Sequence, residues 1–356
     1  MQNENKNLDF NNQAFFIGID VHQKNWNVTI ISAEIKVKTI PMNPSPKELY
    51  QYMINHYPGG KYYSVYEAGY SGFWTHRELE SLGFNNIVVS PTEIPTSGKE
   101  KLTKSDTVDS RKLARELSNG SLKGIYIPDQ LTQELRSLVR ARAQIVKNLV
   151  RLKLQIKSYL NFYGKKYPAN YEITNWSGKF ITHLRSLSFD YNIGKEQLDI
   201  YLDLFEEQRR VLLKVVKSIK KYCTDYGFYE KILLLCSVPG IGFINAVILI
   251  TEIIDIKRFT NFDSLASYVG LVPSKRSSSE KEYTLGLKVQ CKRNLREILI
   301  EGSWVAIRQD PALLSSYGKY VRRMSKQEAI IRIAKILLSR IRYVWLNQQT
   351  YQFSLK

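Results

Sequence analysis

An N-terminal α/β domain followed by a long helical arm and a mostly helical remainder is the fold class that this 356-residue sequence predicts. Three observations carry it. Short runs rich in Val, Ile, Phe and Thr open the chain and then alternate with helical stretches, as the strands of a mixed sheet do. Two later stretches repeat apolar residues at helical spacing without Pro or Gly. The last third returns to short helical segments broken by glycine turns. With 44% hydrophobic and 12% aromatic residues, the chain can bury a substantial core, and its length suits more than one domain.

The elements follow in order. "AFFIGID", "NVTIIS" and "IKVKTI" read as an antiparallel meander separated by polar turns. A helix is expected over Pro46–His56, then strand "YYSVYEA", a helix near "GFWTHRELESLG", strand "NIVVS", and a helix holding "TKSDTVDSRKLA". This gives a first domain over residues 1–125. Residues 126–228 form the arm: Leu135, Leu138, Val139, Ile145, Leu149, Leu152 and Ile156 mark one amphipathic helix over 131–163. Leu198, Leu202, Phe205, Leu212, Val215 and Ile219 mark a second over 195–222, and the pair reads as either an antiparallel hairpin or a dimerising coil. Residues 229–356 hold "SVPGIGFINAVILI", "SLASYVGLVPSKRSSSEKEYTLG" and two closing helices, with no internal repeat or low-complexity tract.

Charge narrows the partners. Lys and Arg total 52 against 33 Asp and Glu, a net charge of +19, which points to a polyanion and above all to nucleic acid. The basic residues spread along the whole chain, unlike a membrane-binding amphipathic helix. The most apolar window, "IGFINAVILITEIIDI", is too short for a bilayer and is interrupted by Glu252. The polar start "MQNENKNLDFNNQ" lacks the apolar core of a signal peptide, and Cys223, Cys236 and Cys291 form no CxxC pair. A reducing, cytoplasmic location with no membrane partner is expected.

Four carboxylates stand out: Asp20 and Glu67 at strand ends, and Asp106 and Asp109 three apart on one helix face. Singly, each has a plain reading as a strand end, a solvated turn or a favourable charge at a helix N-terminus. Together their strand, strand, helix order is the one in which a ribonuclease-H-like nuclease keeps its metal ligands. A phosphodiester repels anionic nucleophiles, so enzymes that act on it gather hard carboxylate oxygens around Mg²⁺ or Mn²⁺.

"GIDVHQKNWNVTII", "VYEAGYSGFW" and "KSDTVDSRKLA" together resemble the RuvC-like, DEDD-type domain of bacterial insertion-sequence transposases, the bridge-RNA-guided recombinases. "SVPGIGFINAVILITEI", "RFTNFDSLASYVGLVP" and "LREILIEGSWVAIRQDP" are similar to that family's C-terminal transposase domain. The resemblance implies that Asp20, Glu67, Asp106 and Asp109 hold Mg²⁺, with Lys104, Arg111 and Lys112 near phosphate. It implies a homo-oligomer at the bacterial nucleoid, acting on target and donor DNA with a structured noncoding guide RNA. It also implies a nucleophilic serine a few residues beyond "GLVP", at Ser278, flanked by Lys275 and Arg276. A hydroxyl is a weak nucleophile until a base, a metal or positive charge assists it. Two departures from the family pattern matter: Ser279 stands where a glycine usually follows the nucleophile, with Ser277 also at hand, and Cys291-Lys292 replaces a usual Gly-Asn. By itself "SKRSSSEKEY" reads as a loop.

Other features are weaker. "VPGIG" is a helix-hairpin-helix turn whose Gly240 and Gly242 region can offer backbone N–H groups to a phosphate, or an ordinary tight turn. Tyr62, Tyr63, Tyr66, Tyr70, Phe73 and Trp74 read as core aromatics more readily than as base-stacking ones. His22, His56, His76 and His183 lack metal-ligand spacing. "GID" lacks the following glycine of an actin-like phosphate loop, and "GYSG" lacks the spacing of a nucleophile elbow. Two rivals to serine recombination remain, a metal-dependent nuclease or junction resolvase using water and a non-catalytic nucleic-acid-binding protein.

Overall fold

The computed structural model describes residues 10–32, 38–94, 106–166, 176–278 and 281–353. The chain divides into two compact units, residues 1–127 and 128–356.

In the first unit the elements are β1 (Ala14–Val21), β2 (Trp26–Ile31), β3 (Lys38–Met42), α1 (Pro46–His56), β4 (Lys61–Glu67), α2 (Trp74–Ser81), β5 (Asn85–Val89) and α3 (Asp106–Ser118). The strands form one mixed sheet in the order β3-β2-β1-β4-β5. β2 runs antiparallel to both β1 and β3, while β4 and β5 lie parallel to β1. This is the ribonuclease-H-like sheet. Strand alternation sorts the faces: Phe15, Ile17 and Ile19 of β1 are buried against Leu49 and Met53 of α1 and Leu79 of α2. Val65 and Val89 lie under Leu113 of α3. Among the aromatics, Tyr62 and Tyr66 are buried in the core, but Tyr70 and Trp74 are exposed, which corrects the core reading at those two positions. They stand after β4 and at the start of α2, outside the strand's alternating burial.

The second unit holds α4 (Gln130–Phe162), α5 (Gly178–Arg185), α6 (Asn192–Asp225), α7 (Tyr229–Cys236), α8 (Phe243–Ile253), a 3-10 turn (Ile256–Arg258), α9 (Phe262–Val269), β6 (Pro273–Ser278), β7 (Lys281–Leu287), α10 (Arg293–Gln309), α11 (Pro311–Val321) and α12 (Lys326–Asn347). Asp129 caps α4 by accepting the Thr132 N–H at 2.8 Å. α4 and α6 pack antiparallel. Leu149, Ile156 and Leu160 meet Leu198, Leu202 and Phe205, with α5 closing that end through Phe180 and Leu184. At the other end Leu135 and Val139 meet Ile219 and Cys223 and merge with the core of α7 to α12. Apart from Asn245, Thr251 and Glu252, α8 is apolar, and it is buried from Ala246 to Ile253, as a central helix must be. Among the described residues no helix is long and apolar enough to cross a membrane.

The serine stretch departs from its loop reading. β6 and β7 form an antiparallel pair with Ser278 opposite Lys281 and Ser277 opposite Glu282. The strands are polar, so no hydrophobic alternation announces them, and their short separation in sequence is what permits the pairing.

Candidate active site

Parallel register sets the first two carboxylates side by side. Gly18 pairs with Val65 and Ile19 with Tyr66. One residue further along each strand stand Asp20 and Glu67, and two-residue alternation puts them on the same face as Gly18 and Val65. That face is the one α3 covers. Seating of the helix depends on Gly18: a Cβ there would stand 2.1 Å from the Ser110 carbonyl oxygen and 2.5 Å from the Ala114 nitrogen. Ser110 Oγ also lies 2.9 Å from Thr29 Oγ1 on β2. Asp109 immediately precedes this contact, and Asp106 opens the same helix one turn earlier. The Asp106 side chain lies outside the described residues. All four positions therefore belong to one face of the sheet and the helix laid on it.

The immediate surroundings are polar. Asp20 Oδ2 lies 3.1 Å from His22 Nε2, with the Asp20 side chain 20% exposed. His22 has no role from its sequence context, and its only signal is its place two residues after Asp20, one residue beyond the end of β1. Tyr70 donates its hydroxyl to the Val21 carbonyl at 3.2 Å, which holds the segment after β4 beside the end of β1. Arg111 donates from Nε to Thr39 Oγ1 at 3.0 Å. Lys112 is buried, at 8% exposure, so it offers little surface to a phosphate. Lys104 lies outside the described residues. Carboxylate oxygens are the donor set that a hard divalent cation takes, although among the described residues no group of three or more His, Cys, Asp or Glu is close enough to hold one.

Ser278 ends β6, while Lys275, Arg276 and Ser277 precede it on the same strand. Their side chains, and Ser279 altogether, lie outside the described residues. The roots of the hairpin are anchored. Arg296 of α10 donates to the Lys288 carbonyl at 2.8 Å and to that of Gly270 at 3.5 Å, and Lys288 Nζ reaches Ser267 Oγ at 3.0 Å. Gly270 ends α9 in the left-handed region at φ +84°, and a Cβ on it would meet Cys291 Sγ at 2.5 Å. Cys291 thus packs directly against the "GLVP" turn. In "VPGIG", Gly240 has φ +80°, and a Cβ on it would stand 2.1 Å from the Gly302 carbonyl oxygen. Its N–H donates to Gln309 Oε1 at 3.2 Å, so it is engaged within the protein. Gly242 is the N-cap of α8 and makes no side-chain cap hydrogen bond.

One charged network escaped sequence reasoning. Glu252, 2% exposed on α8, accepts from Arg140 at 2.8 and 2.9 Å and from Asn294 at 3.3 Å. Burial favours its protonated form, but the Arg140 hydrogen bonds and the charges of Arg140, Arg136 and Lys292 outweigh that and hold it below the ordinary carboxylate value. Its carboxylate lies 112 residues from Arg140 in sequence, beyond any local pattern.

The first unit is thus a ribonuclease-H-like domain with a carboxylate-bearing face, the class of fold that processes nucleic acids. Residues 17–165 match the transposase family DEDD_Tnp_IS110, and residues 233–318 match the Transposase IS116/IS110/IS902 family. The chain belongs to this IS110 family of insertion-sequence DNA transposases. It is 28% identical over 242 residues to the protein y4qE of Sinorhizobium fredii, an alignment covering 68% of this chain and 58% of that one. The chain thus spans less than two thirds of that relative. It is also 24% identical to the transposase for insertion sequence element IS1533 of Leptospira borgpetersenii, covering 81% of this chain and 84% of the relative. Identity to the transposase for insertion sequence element IS1111A of Coxiella burnetii is 22%, covering 81% and 79%.

Proposed function

We propose that this chain cuts and rejoins the DNA of an insertion sequence with Ser278 as nucleophile and Asp20, Glu67, Asp106 and Asp109 as a metal-binding set. The observation that carries the reading is the parallel register that places Asp20 beside Glu67 on the face covered by the helix of Asp106 and Asp109. Mg²⁺ held there, or Mn²⁺ in its place, would offset the negative charge on a scissile phosphate. Ser278 Oγ adds to phosphorus, the bond from phosphorus to one deoxyribose oxygen breaks, and that oxygen departs as a hydroxyl with the serine's proton. The phosphoserine ester conserves the bond for a second strand, whose hydroxyl attacks in reverse and releases the serine. Lys275 and Arg276, on the same strand as Ser278, supply positive charge near the developing one. Ser277 and Ser279 stand close enough in sequence to take its place. The partners in this reading are target and donor DNA, a structured guide RNA and further copies of the same chain, in the bacterial cytoplasm at the nucleoid.

Two substitutions test the carboxylates. Asp106→Asn and Glu67→Gln are each expected to abolish strand transfer while leaving nucleic-acid binding and melting temperature close to those of the unaltered chain. Full strand transfer in either variant, or a lower melting temperature with retained turnover, would return these residues to a structural role.

A further inference from the structure

Among the described residues, Arg136, Arg140 and Lys292 surround the single carboxylate of Glu252. Arg140 satisfies Glu252 through two hydrogen bonds. Arg136 donates to the Thr251 carbonyl at 2.7 Å and stands 4.0 Å from the same carboxylate. Arg258 lies over the rings of Phe259 and Tyr268 at 4.6 and 4.7 Å. The Lys292 ammonium is 5.9 Å from the Tyr268 ring centre. Tyr268 closes the group by donating its hydroxyl to the Glu252 carbonyl at 2.9 Å. Among the described residues, Arg136, Arg140 and Lys292 thus share one acidic side chain, with Arg258 beside them against Tyr268, while a single guanidinium fork is enough to pair it. The cluster is not sealed: the Arg140 side chain is 55% exposed and Lys292 is half-buried. Burial lowers the proton affinity of Lys292, and the charges of Arg140, Arg136 and Arg258 lower it further against the pull of Glu252. Crowded cations in a half-buried cluster are eased by an incoming anion.

We propose that Arg136, Arg140, Arg258 and Lys292 form a binding site for a backbone phosphate of nucleic acid, with Glu252 as the internal counter-ion that orders it. The proposal rests on the reading of the chain as a nucleic-acid enzyme. The donors are guanidinium groups on α4 and the 3-10 turn after α8 and an ammonium at the N-cap of α10, with Arg258 and Lys292 set against the Tyr268 ring. Such a frame suits a phosphate, which is recognised by charge and geometry and carries no base identity. The site therefore sets affinity and position, without contributing sequence choice.

The test uses the full chain and a short fluorescein-labelled DNA duplex of arbitrary sequence, with binding measured by anisotropy over a range of salt concentrations. Lys292→Gln removes one cation and leaves the hydrogen bonds of Glu252 in place. The expected result is weaker binding, a slope of log affinity against log salt shallower by about one, and a melting temperature equal to or above that of the unaltered chain. Lys292→Arg should restore both affinity and slope. Unchanged binding in Lys292→Gln overturns the site while leaving the nucleic-acid reading intact. Weaker binding accompanied by a lower melting temperature, or no rescue by Lys292→Arg, makes the cluster a structural one and also overturns it. No salt-dependent binding by the unaltered chain removes both the site and the reading beneath it.

Discussion

Gly18→Ala probes the link between the sheet and its carboxylates. The added Cβ would stand 2.1 Å from the Ser110 carbonyl oxygen and 2.5 Å from the Ala114 nitrogen, both in the backbone of α3. Neither atom can rotate away as a side chain does. Relief to an ordinary contact of 3.4 Å requires the helix to retreat by about 1.3 Å, and overpacking of this kind costs about 1–3 kcal/mol. That retreat loosens Leu113 from Val65 and Val89. At roughly 4 °C per kcal/mol for a domain of this size, the melting temperature of the first unit should fall by about 4–12 °C. Asp106 and Asp109 ride on α3, so they withdraw from Asp20 and Glu67 by a similar distance, and a 1 Å misplacement in an active site can reduce turnover by about 10²-fold. Differential scanning fluorimetry and a strand-transfer gel on one preparation read both effects. Gly178→Ala, where an added Cβ meets nothing within 4 Å, serves as the control and should change neither. A Gly18→Ala protein with unaltered melting temperature and unaltered strand transfer would refute the claim that contact at Gly18 seats the helix and its carboxylates.

Gly240→Ala should lower stability by about 2 kcal/mol or more, because it combines a left-handed backbone at φ +80° with a contact 2.1 Å from the Gly302 carbonyl oxygen; thermal unfolding checks it. Asp310, 1% exposed, caps α11 and pairs with Arg340 and Tyr351. Burial works to raise its carboxyl, but the Tyr351 hydroxyl, the Leu313 N–H and Arg340 together hold it below its ordinary 3.8. The folded value lies below the unfolded one, so this stabilisation is complete above the unfolded value and is lost as pH falls through the folded value. Asp310→Asn should therefore cost about 1–3 kcal/mol at neutral pH, and urea titrations should show the difference shrinking below pH 3.8.

The legible parts of the fold were those with a strong local period. Leu135, Val139, Leu149 and Ile156 announce α4 because an amphipathic helix must repeat its apolar face, and α6 follows the same rule. Alternation of Phe15, Ile17 and Ile19 does the same for β1. The β6–β7 pair escaped because its serines, lysines and glutamates carry no apolar alternation in the sequence. Networks between distant residues escaped for another reason. Arg140 with Glu252, and Arg340 with Asp310, are made by tertiary packing over 112 and 30 residues, and no spacing rule reaches that far. The candidate carboxylates were visible as residue types at strand and helix ends, but the shared face of Asp20 and Glu67 required the register of β1 against β4. The role of Gly18 required the helix that lies on it.

Serine chemistry is the central claim, and capture of its covalent intermediate tests it most directly. The full chain, expressed with the noncoding DNA that flanks its gene, is incubated with Mg²⁺ and a nicked element junction, then resolved by denaturing gel and peptide mass spectrometry. The account predicts a protein–DNA adduct whose phosphate is attached to Ser278 and which disappears when Ser277, Ser278 and Ser279 are all replaced by Ala. Cleaved DNA without any adduct, undiminished in that triple variant, would contradict it and assign the reaction to water.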